Sequence, residues 1–232
     1  MFGALTAFES QALLLSIRVA LVAVALTLPI GLALALVLAR GRFPGRWIVE
    51  ALVNLPLVLP PVVTGLALLM VFGVHGPVGA WLKATFGITL AFHWIGAALA
   101  AAVMALPLVV RPIRLSIESV DRGLEQAAAT LGAPPLAVLV RITLPLALPG
   151  LIAGGLLGFA RAFGEFGATV TFAGSIVGET QTLPVAIYAA LQTTEGETSA
   201  IRLALISVVI SVGALLATEA FNRRTLQGRG ER

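Results

Sequence analysis

Residues 19–39 read VALVAVALTLPIGLALALVLA, a stretch without a charged side chain. A helix of about 20 residues is long enough to cross the ~30 Å hydrocarbon core of a membrane. Leucine, alanine and valine dominate the stretch, and they do not alternate with polar residues as they would in a barrel strand. The stretch therefore predicts a membrane-spanning helix.

The composition of the whole chain supports this prediction. Of the 232 residues, 59% are hydrophobic and 11% are charged, whereas soluble domains average about 45–50% and about 25%. An ordinary soluble domain and a disordered chain are both excluded. The chain has no cysteine, which excludes a disulfide framework and thiolate metal sites. The net charge of +4 comes from arginines at the edges of apolar runs, which favours membrane orientation over nucleic-acid binding.

Four further charge-free runs resemble the first in composition. They occupy residues 51–74, 84–110, 142–160 and 203–218. We therefore expect an all-α integral membrane protein with five transmembrane helices in a single domain, residues 1–232. The predicted spans are residues 11–39, 50–74, 88–111, 142–163 and 201–221.

The arginines orient these spans. With five spans and the N-terminus outside, most arginines lie in the cytoplasm, as the positive-inside rule requires. They are Arg40, Arg42, Arg46, Arg111, Arg114, Arg122, Arg141, Arg223, Arg224, Arg229 and Arg232. A sixth span after residue 163 would place the C-terminal arginines outside and nearly remove the bias. Residues 162–200 then form an outer segment that either lies at the surface or re-enters the protein.

The loop between the third and fourth spans contains a short amphipathic helix, predicted at residues 121–133. Asp121 can cap its start, and Gly132 suits the left-handed position that ends a helix. Its apolar face comprises Leu124, Ala127, Ala128 and Leu131. Two interpretations are about equally supported: a helix resting at the lipid headgroups, or a helix that docks on a cytoplasmic partner.

The same loop resembles the EAA loop of ABC-importer permeases. The matching positions are Gln126-Ala127-Ala128, Gly132, Ile142 and Leu144-Pro145. The chain departs from the family pattern at Gln126, where the family has glutamate, and Glu125 directly precedes it. The salt bridge of that glutamate is therefore expected to be absent or to be made by Glu125.

The resemblance implies a function for the loop. In that family, the loop helix docks on an ATP-binding cassette subunit and couples ATP hydrolysis to movement of the spans. The implied coupling residues are Asp121, Glu125, Gln126, Ala127, Ala128 and Gly132. This chain lacks a phosphate-binding GxxxxGK[ST] loop, so we expect a transport subunit that is not itself an enzyme. ATP and magnesium would bind the partner, and we expect no cofactor in this chain.

The outer segment resembles one subgroup, the molybdate-transporter permeases. The resemblance lies in GEFGAT at 164–169, FAG at 172–174 and TQTLP at 180–184. It implies import of molybdate, and of tungstate by analogy, across the cytoplasmic membrane of a prokaryote. The implied protein partners are two ATPase subunits, a second copy of this chain and an extracytoplasmic oxyanion-binding protein. The chain would also contact membrane lipid, and we expect no nucleic-acid partner. A sulfate or thiosulfate permease is the alternative.

Candidate residues of the translocation path lie in two segments. In the second span, Pro60 and Pro61 break the helix, and we expect a gate near them that includes Asn54 and Thr64. A kinked packing helix is almost equally consistent with this pattern. In the outer segment, Thr169 and Thr171 could donate weak hydrogen bonds to an oxyanion. They could equally serve helix packing.

Arg161 and Glu165 stand four residues apart, so they share one helix face and can pair. They are candidates for the path, although a structural ion pair is the favoured interpretation.

Two other classes of function fit the sequence poorly. An intramembrane hydrolase would need facing aspartates within the spans, and Asp121 is the only aspartate in the chain. A passive channel would not need the loop spacing. We expect neither catalytic residues nor a metal site.

Overall fold

The computed structural model describes residues 5–194 and 196–230, with side chains described up to residue 217. Within these ranges the chain forms helices and turns and no strand, which confirms the all-α prediction. The helices are α1 (Ala7–Arg40), α2 (Arg46–Val58), α3 (Pro61–Phe72), α4 (Pro77–Phe86), α5 (Trp94–Glu118), α6 (Arg122–Thr130), α7 (Pro135–Val138), α8 (Leu144–Phe163), α9 (Gly167–Ala173), α10 (Leu183–Leu191) and α11 (Glu197–Gly230).

Four helical stretches are long and apolar enough to cross a membrane, among the residues described. They are Ala7–Arg40, Trp94–Glu118, Pro135–Phe163 and Glu197–Ala217. The third stretch joins α7 to α8 through a π-helical turn at Leu139–Thr143. Helices α2 and α3 are bent by 115° at the break between them, and a fifth crossing results if the pair is counted as one broken span rather than as a re-entrant loop. The bend lies at Pro60, inside the predicted second span.

Among the starts of the spans, those of the third and fourth differ most from the sequence prediction. The helix of the third span begins at Trp94 rather than at residue 88, and a separate helix, α4, precedes it. Residues 87–93 are charge-free, so hydropathy does not distinguish this loop from a helix; Phe92 there has a φ of +58°. The helix of the fourth span begins at Pro135 rather than at residue 142, because proline fits the first turn of a helix.

The core forms where α5 packs between α1 and α8. Along α5, Ala97, Ala101 and Ala105 are fully buried. On α8, Gly150, Gly154 and Gly158 face α5: a Cβ atom at Gly154 would lie 2.8 Å from the carbonyl oxygen of Val109. Small residues let membrane helices approach to this distance, and van der Waals packing then stabilises the pair.

Charged side chains gather at the two ends of the bundle. At one end, Arg114 pairs with Glu50 at 2.6 Å and with Glu118 at 2.8 Å. At the other end, Glu9 is buried and lies 3.3 Å from Arg202. Helix α1 joins the two ends and is about 50 Å long at 1.5 Å per residue, so they lie on opposite sides of a membrane.

Which end faces the cytoplasm stays a prediction, since it rests on the distribution of arginines. The arginines of the C-terminal tail, Arg223, Arg224, Arg229 and Arg232, lie outside the described side chains.

The glycine contact predicts a difference between two alanine substitutions. Gly150→Ala should lower the free energy of unfolding by about 1–3 kcal/mol, since its Cβ would lie 2.6 Å from the carbonyl oxygen of Pro112. Gly155→Ala, whose Cβ would lie 3.7 Å from a methyl group of Leu28, should be neutral or slightly stabilising. Thermal unfolding of both variants in detergent tests this. Equal stabilities would contradict the importance of the α5–α8 contact.

Candidate functional site

Helix α6 is the predicted loop helix, and its ends follow from local chemistry. The Asp121 carboxylate accepts a hydrogen bond from the Gly123 amide at 2.8 Å, which caps the first turn. The helix ends before Gly132, whose φ of +87° is the left-handed conformation that glycine adopts without strain. The Ala133 amide then donates to the Ala128 carbonyl at 3.1 Å and closes the helix.

Every residue of α6 is at least partly exposed. Leu131 at its end is 89% exposed and Leu124 is 49% exposed. Ala127 and Gln126 are exposed as well, whereas Ala128 is half-buried. The apolar face of α6 is therefore directed away from the protein body, at the end of the bundle where the Arg114 ion pairs lie. Such a face needs a cover, either lipid headgroups or another protein.

Glu125 differs from the other predicted coupling residues because it turns towards the body. One of its carboxylate oxygens accepts a hydrogen bond from Arg40 at 2.9 Å and another from the Thr143 hydroxyl at 2.7 Å. The ion pair of this carboxylate is thus made within the chain. Gln126 leaves its side chain exposed.

The break in the second span follows from its prolines. Pro60 and Pro61 have no backbone N–H, so the carbonyl groups of Pro56 and Leu57 receive no helical hydrogen bond. Pro61 instead begins α3, where a missing donor costs nothing. Non-helical backbone at membrane depth is tolerated where it is buried in protein or lines a water-filled cavity.

Helix α3 packs against α9 through a glycine on each side. A Cβ atom at Gly65 would lie 2.8 Å from the carbonyl oxygen of Ala168, and one at Gly167 would lie 2.7 Å from Cβ of Pro61. This contact brings together the two segments that contain Pro60, Pro61, Thr64, Thr169 and Thr171. Asn54 is not part of it. It lies on α2, beyond the break, beside a cavity of about 320 Å³ that Arg111 and Arg114 also line.

The threonine hydroxyls of α9 are bonded within their own helix. Thr169 donates to the Phe166 carbonyl at 2.8 Å and Thr171 to the Gly167 carbonyl at 2.7 Å. Thr64, on α3, is buried, and its hydroxyl finds no hydrogen-bond partner among the described residues. In this state the donors predicted on α9 are engaged, and Thr64 keeps an unused one.

Arg161 and Glu165 form an ion pair at the junction of α8 and α9. The Glu165 side chain is almost completely buried, and its second oxygen accepts the Ala168 amide at 2.8 Å. The carboxylate therefore holds the first turn of α9, and with it the contact to α3.

Sequence reasoning did not identify two polar groups. Arg40 entered only as a cytoplasmic charge, although it bonds Glu125, 85 residues away. Glu9 was not considered, although it is buried and joins α1 to Ser199 and Arg202 of α11. The pattern Thr6–Glu9 is a capping box and was visible in the sequence. The contacts of Glu9 with α11 and of Arg40 with Glu125 join residues far apart in the chain, so no local sequence pattern indicates them.

Comparison with known proteins identifies the family. Residues 27–227 match the family described as binding-protein-dependent transport system inner membrane component. The chain belongs to this family. It is therefore an inner-membrane transport subunit, as the sequence predicted.

Two relatives and one solved structure show in more detail what the chain is similar to. It is 51% identical to the molybdenum transport system permease protein ModB of Escherichia coli K12, over 97% of this chain and 99% of that protein. It is 38% identical to the sulfate transport system permease protein CysT of the same strain, over 83% and 67%. The permease fold is shared with a bacterial ABC transporter that imports alginate, with a TM-score of 0.72, 17% identity and coverage of 94% and 80%.

The ion pair of α8 and α9 predicts a specific pattern of rescue. Arg161→Met should lower stability by about 3–5 kcal/mol, because it leaves the buried Glu165 carboxylate without its cation. Adding Glu165→Gln should restore both stability and transport, since glutamine can still accept the Ala168 amide. Thermal unfolding and uptake in proteoliposomes test this. A double variant that regains stability without transport would show that the charged pair acts in transport as well as in folding.

Proposed function

We propose that the chain is the permease of an ATP-driven molybdate importer. The observation that carries this proposal is the 51% identity to a molybdenum permease along nearly the whole of both chains. The match to the sulfate permease is weaker and shorter. Tungstate is included in the proposal because it is a tetrahedral dianion of the same kind.

The exposed face of α6 supports docking on a cytoplasmic ATPase. Leu131 is the most exposed of the large apolar side chains described, and it ends a helix that otherwise projects from the body. A groove on a partner would cover it together with Leu124 and Ala127. Under this proposal Asp121 and Gly132 set the length of the docking helix, and Gln126 faces the partner. ATP and magnesium bind that partner, because this chain has no phosphate-binding loop.

The broken span supports a second copy of the chain as the other half of the path. Around the break, Val58 is 80% exposed and Val62 is 55% exposed. Backbone carbonyls without donors cannot face lipid at this depth. A second copy packed on α2 and α3 would cover the break and leave a path between the two subunits. Two permeases would then present two α6 helices to two ATPase subunits.

The gate of this path is assigned to the contact between α3 and α9. Pro60 and Pro61 start α3 there, and the donor of Thr64 is unused. Thr169 and Thr171 would bind the oxyanion only after their helix opens. Asn54 would contribute on the cytoplasmic side, beside the cavity that contains Arg111. An extracytoplasmic binding protein would deliver the anion to the opposite end.

Reconstituted transport tests the cargo. The chain, its ATPase and its binding protein are placed in proteoliposomes, and uptake of labelled molybdate is followed with and without ATP. We expect uptake that needs ATP, that excess tungstate abolishes and that excess sulfate leaves within about twofold of its original rate. Inhibition by sulfate would contradict the molybdate assignment and favour sulfate as the cargo. Uptake without the ATPase would contradict the coupling itself.

A pair of substitutions tests the docking face. Leu131→Asp should reduce binding of the ATPase to the permease at least about tenfold, because burying one unpaired charge in the groove costs more than 1.4 kcal/mol. Leu136→Asp is the matched control, an equally charged change at a leucine on α7 that is 70% exposed. Co-purification of the ATPase with each variant measures the effect. Equal losses would show that docking does not depend on the α6 face.

A further inference from the structure

Glu125 is the polar link between α6 and the rest of the protein. Its carboxylate oxygen Oε1 accepts two hydrogen bonds, from Nη2 of Arg40 at 2.9 Å and from Oγ1 of Thr143 at 2.7 Å. Its side chain is 20% exposed and that of Arg40 is 23% exposed. Shielding from water makes such a charge-assisted bond stronger than a pair on an open surface.

Arg40 extends this link to two spans. It is the last residue of α1, and the same Nη2 donates to the Ile117 carbonyl at 3.1 Å, near the end of α5. The Val120 carbonyl lies 3.5 Å away. One guanidinium group thus connects the end of α1, the end of α5 and helix α6.

Thr143 connects the link to the fourth span. It is buried at the end of the π-helical turn, directly before α8. π-helical turns interrupt the regular hydrogen bonding of a helix and frequently occur at functional sites. A displacement of Glu125 therefore acts on the segment where the regular winding of the span is already interrupted.

Apolar packing between α6 and the body is incomplete. A cavity of about 300 Å³ separates them, lined by Leu36, Ala129 and Val138, with Arg40, Glu125 and Thr143 in its wall. The hydrogen bonds of Glu125 to Arg40 and Thr143 therefore connect α6 to the body at a place where apolar packing is open. The neighbouring Gln126 is exposed and takes no part in it.

We propose that Glu125 is the positioning residue through which movement of α6 reaches α1, α5 and the π-helical turn. This inference rests on the proposed function, in which an ATPase docks on α6. Two adjacent residues then have different tasks: Gln126 faces the partner, and Glu125 ties the docking helix to the spans. Loss of Glu125 should uncouple transport from hydrolysis without preventing docking.

The first test measures coupling in the full complex with its ATPase and binding protein. Glu125→Ala should lower the number of molybdate ions imported per ATP hydrolysed about tenfold, with ATPase binding and hydrolysis within about twofold of the original. Glu125→Gln keeps an acceptor for Arg40 and Thr143 and should lose less. Glu118→Gln is the matched control, because it removes a carboxylate paired with Arg114 at the same end but leaves α6 untouched. Its coupling ratio should be unchanged.

The second test uses the permease alone and so does not depend on the ATPase. Hydrogen exchange of the amides of residues 123–131 should be at least about fivefold faster in Glu125→Ala, as expected when about 1 kcal/mol of local stability is lost. Unchanged exchange would overturn the proposed link. A loss of transport that only parallels a loss of ATPase binding would also overturn it. Absence of ATP-dependent uptake in the unmodified complex would instead reject the proposed function, while exchange would still decide whether Glu125 holds α6.

Discussion

The close approach of α8 to α5 is the contact on which the rest of the structure depends. Glycine at every fourth position lets the two backbones touch, so that Gly154 lies against the carbonyl of Val109. Helix α8 continues from this contact in both directions. Its π-helical extension carries Thr143 towards α6, and its other end carries the Arg161–Glu165 pair that starts α9. One helix therefore joins the proposed docking helix to the proposed gate.

The lipid environment imposes a second constraint, which explains the form of the second span. In a soluble protein, water could donate hydrogen bonds to the carbonyl oxygens of Pro56 and Leu57. In a bilayer the same break must be covered by protein or opened to an aqueous path. The contact of α3 with α9 covers only one side of α3, since Thr64 and Gly65 are buried while Val62 and Val63 stay exposed. Under the proposed function, a second copy of the chain would cover the part of the break that α9 leaves exposed.

The extent to which the structure could be predicted follows from the range of each interaction. The loop helix could be placed because its capping residue, Asp121, and its terminating glycine, Gly132, act on their own neighbours. The break at Pro60 could be placed for the same reason. The start of the third span was misplaced because residues 84–93 carry no charge that marks a loop. The glycine spacing at 150, 154 and 158 was visible but was not used. The bond between Arg40 and Glu125 joins distant residues, and no local pattern announces it.

The hydrogen bonds of the threonines bear on how such a path could select its cargo. A permanent site of strong donors would hold a dianion and slow its release. Here the hydroxyls of Thr169 and Thr171 are bonded within α9, and the Glu165 carboxylate is occupied by Arg161 and the Ala168 amide. The region of the proposed gate therefore offers an oxyanion little beyond Thr64 in this state. Under the proposed function, a path built this way conducts by opening rather than by binding. Discrimination between molybdate and sulfate would then fall to the extracytoplasmic partner that delivers the anion.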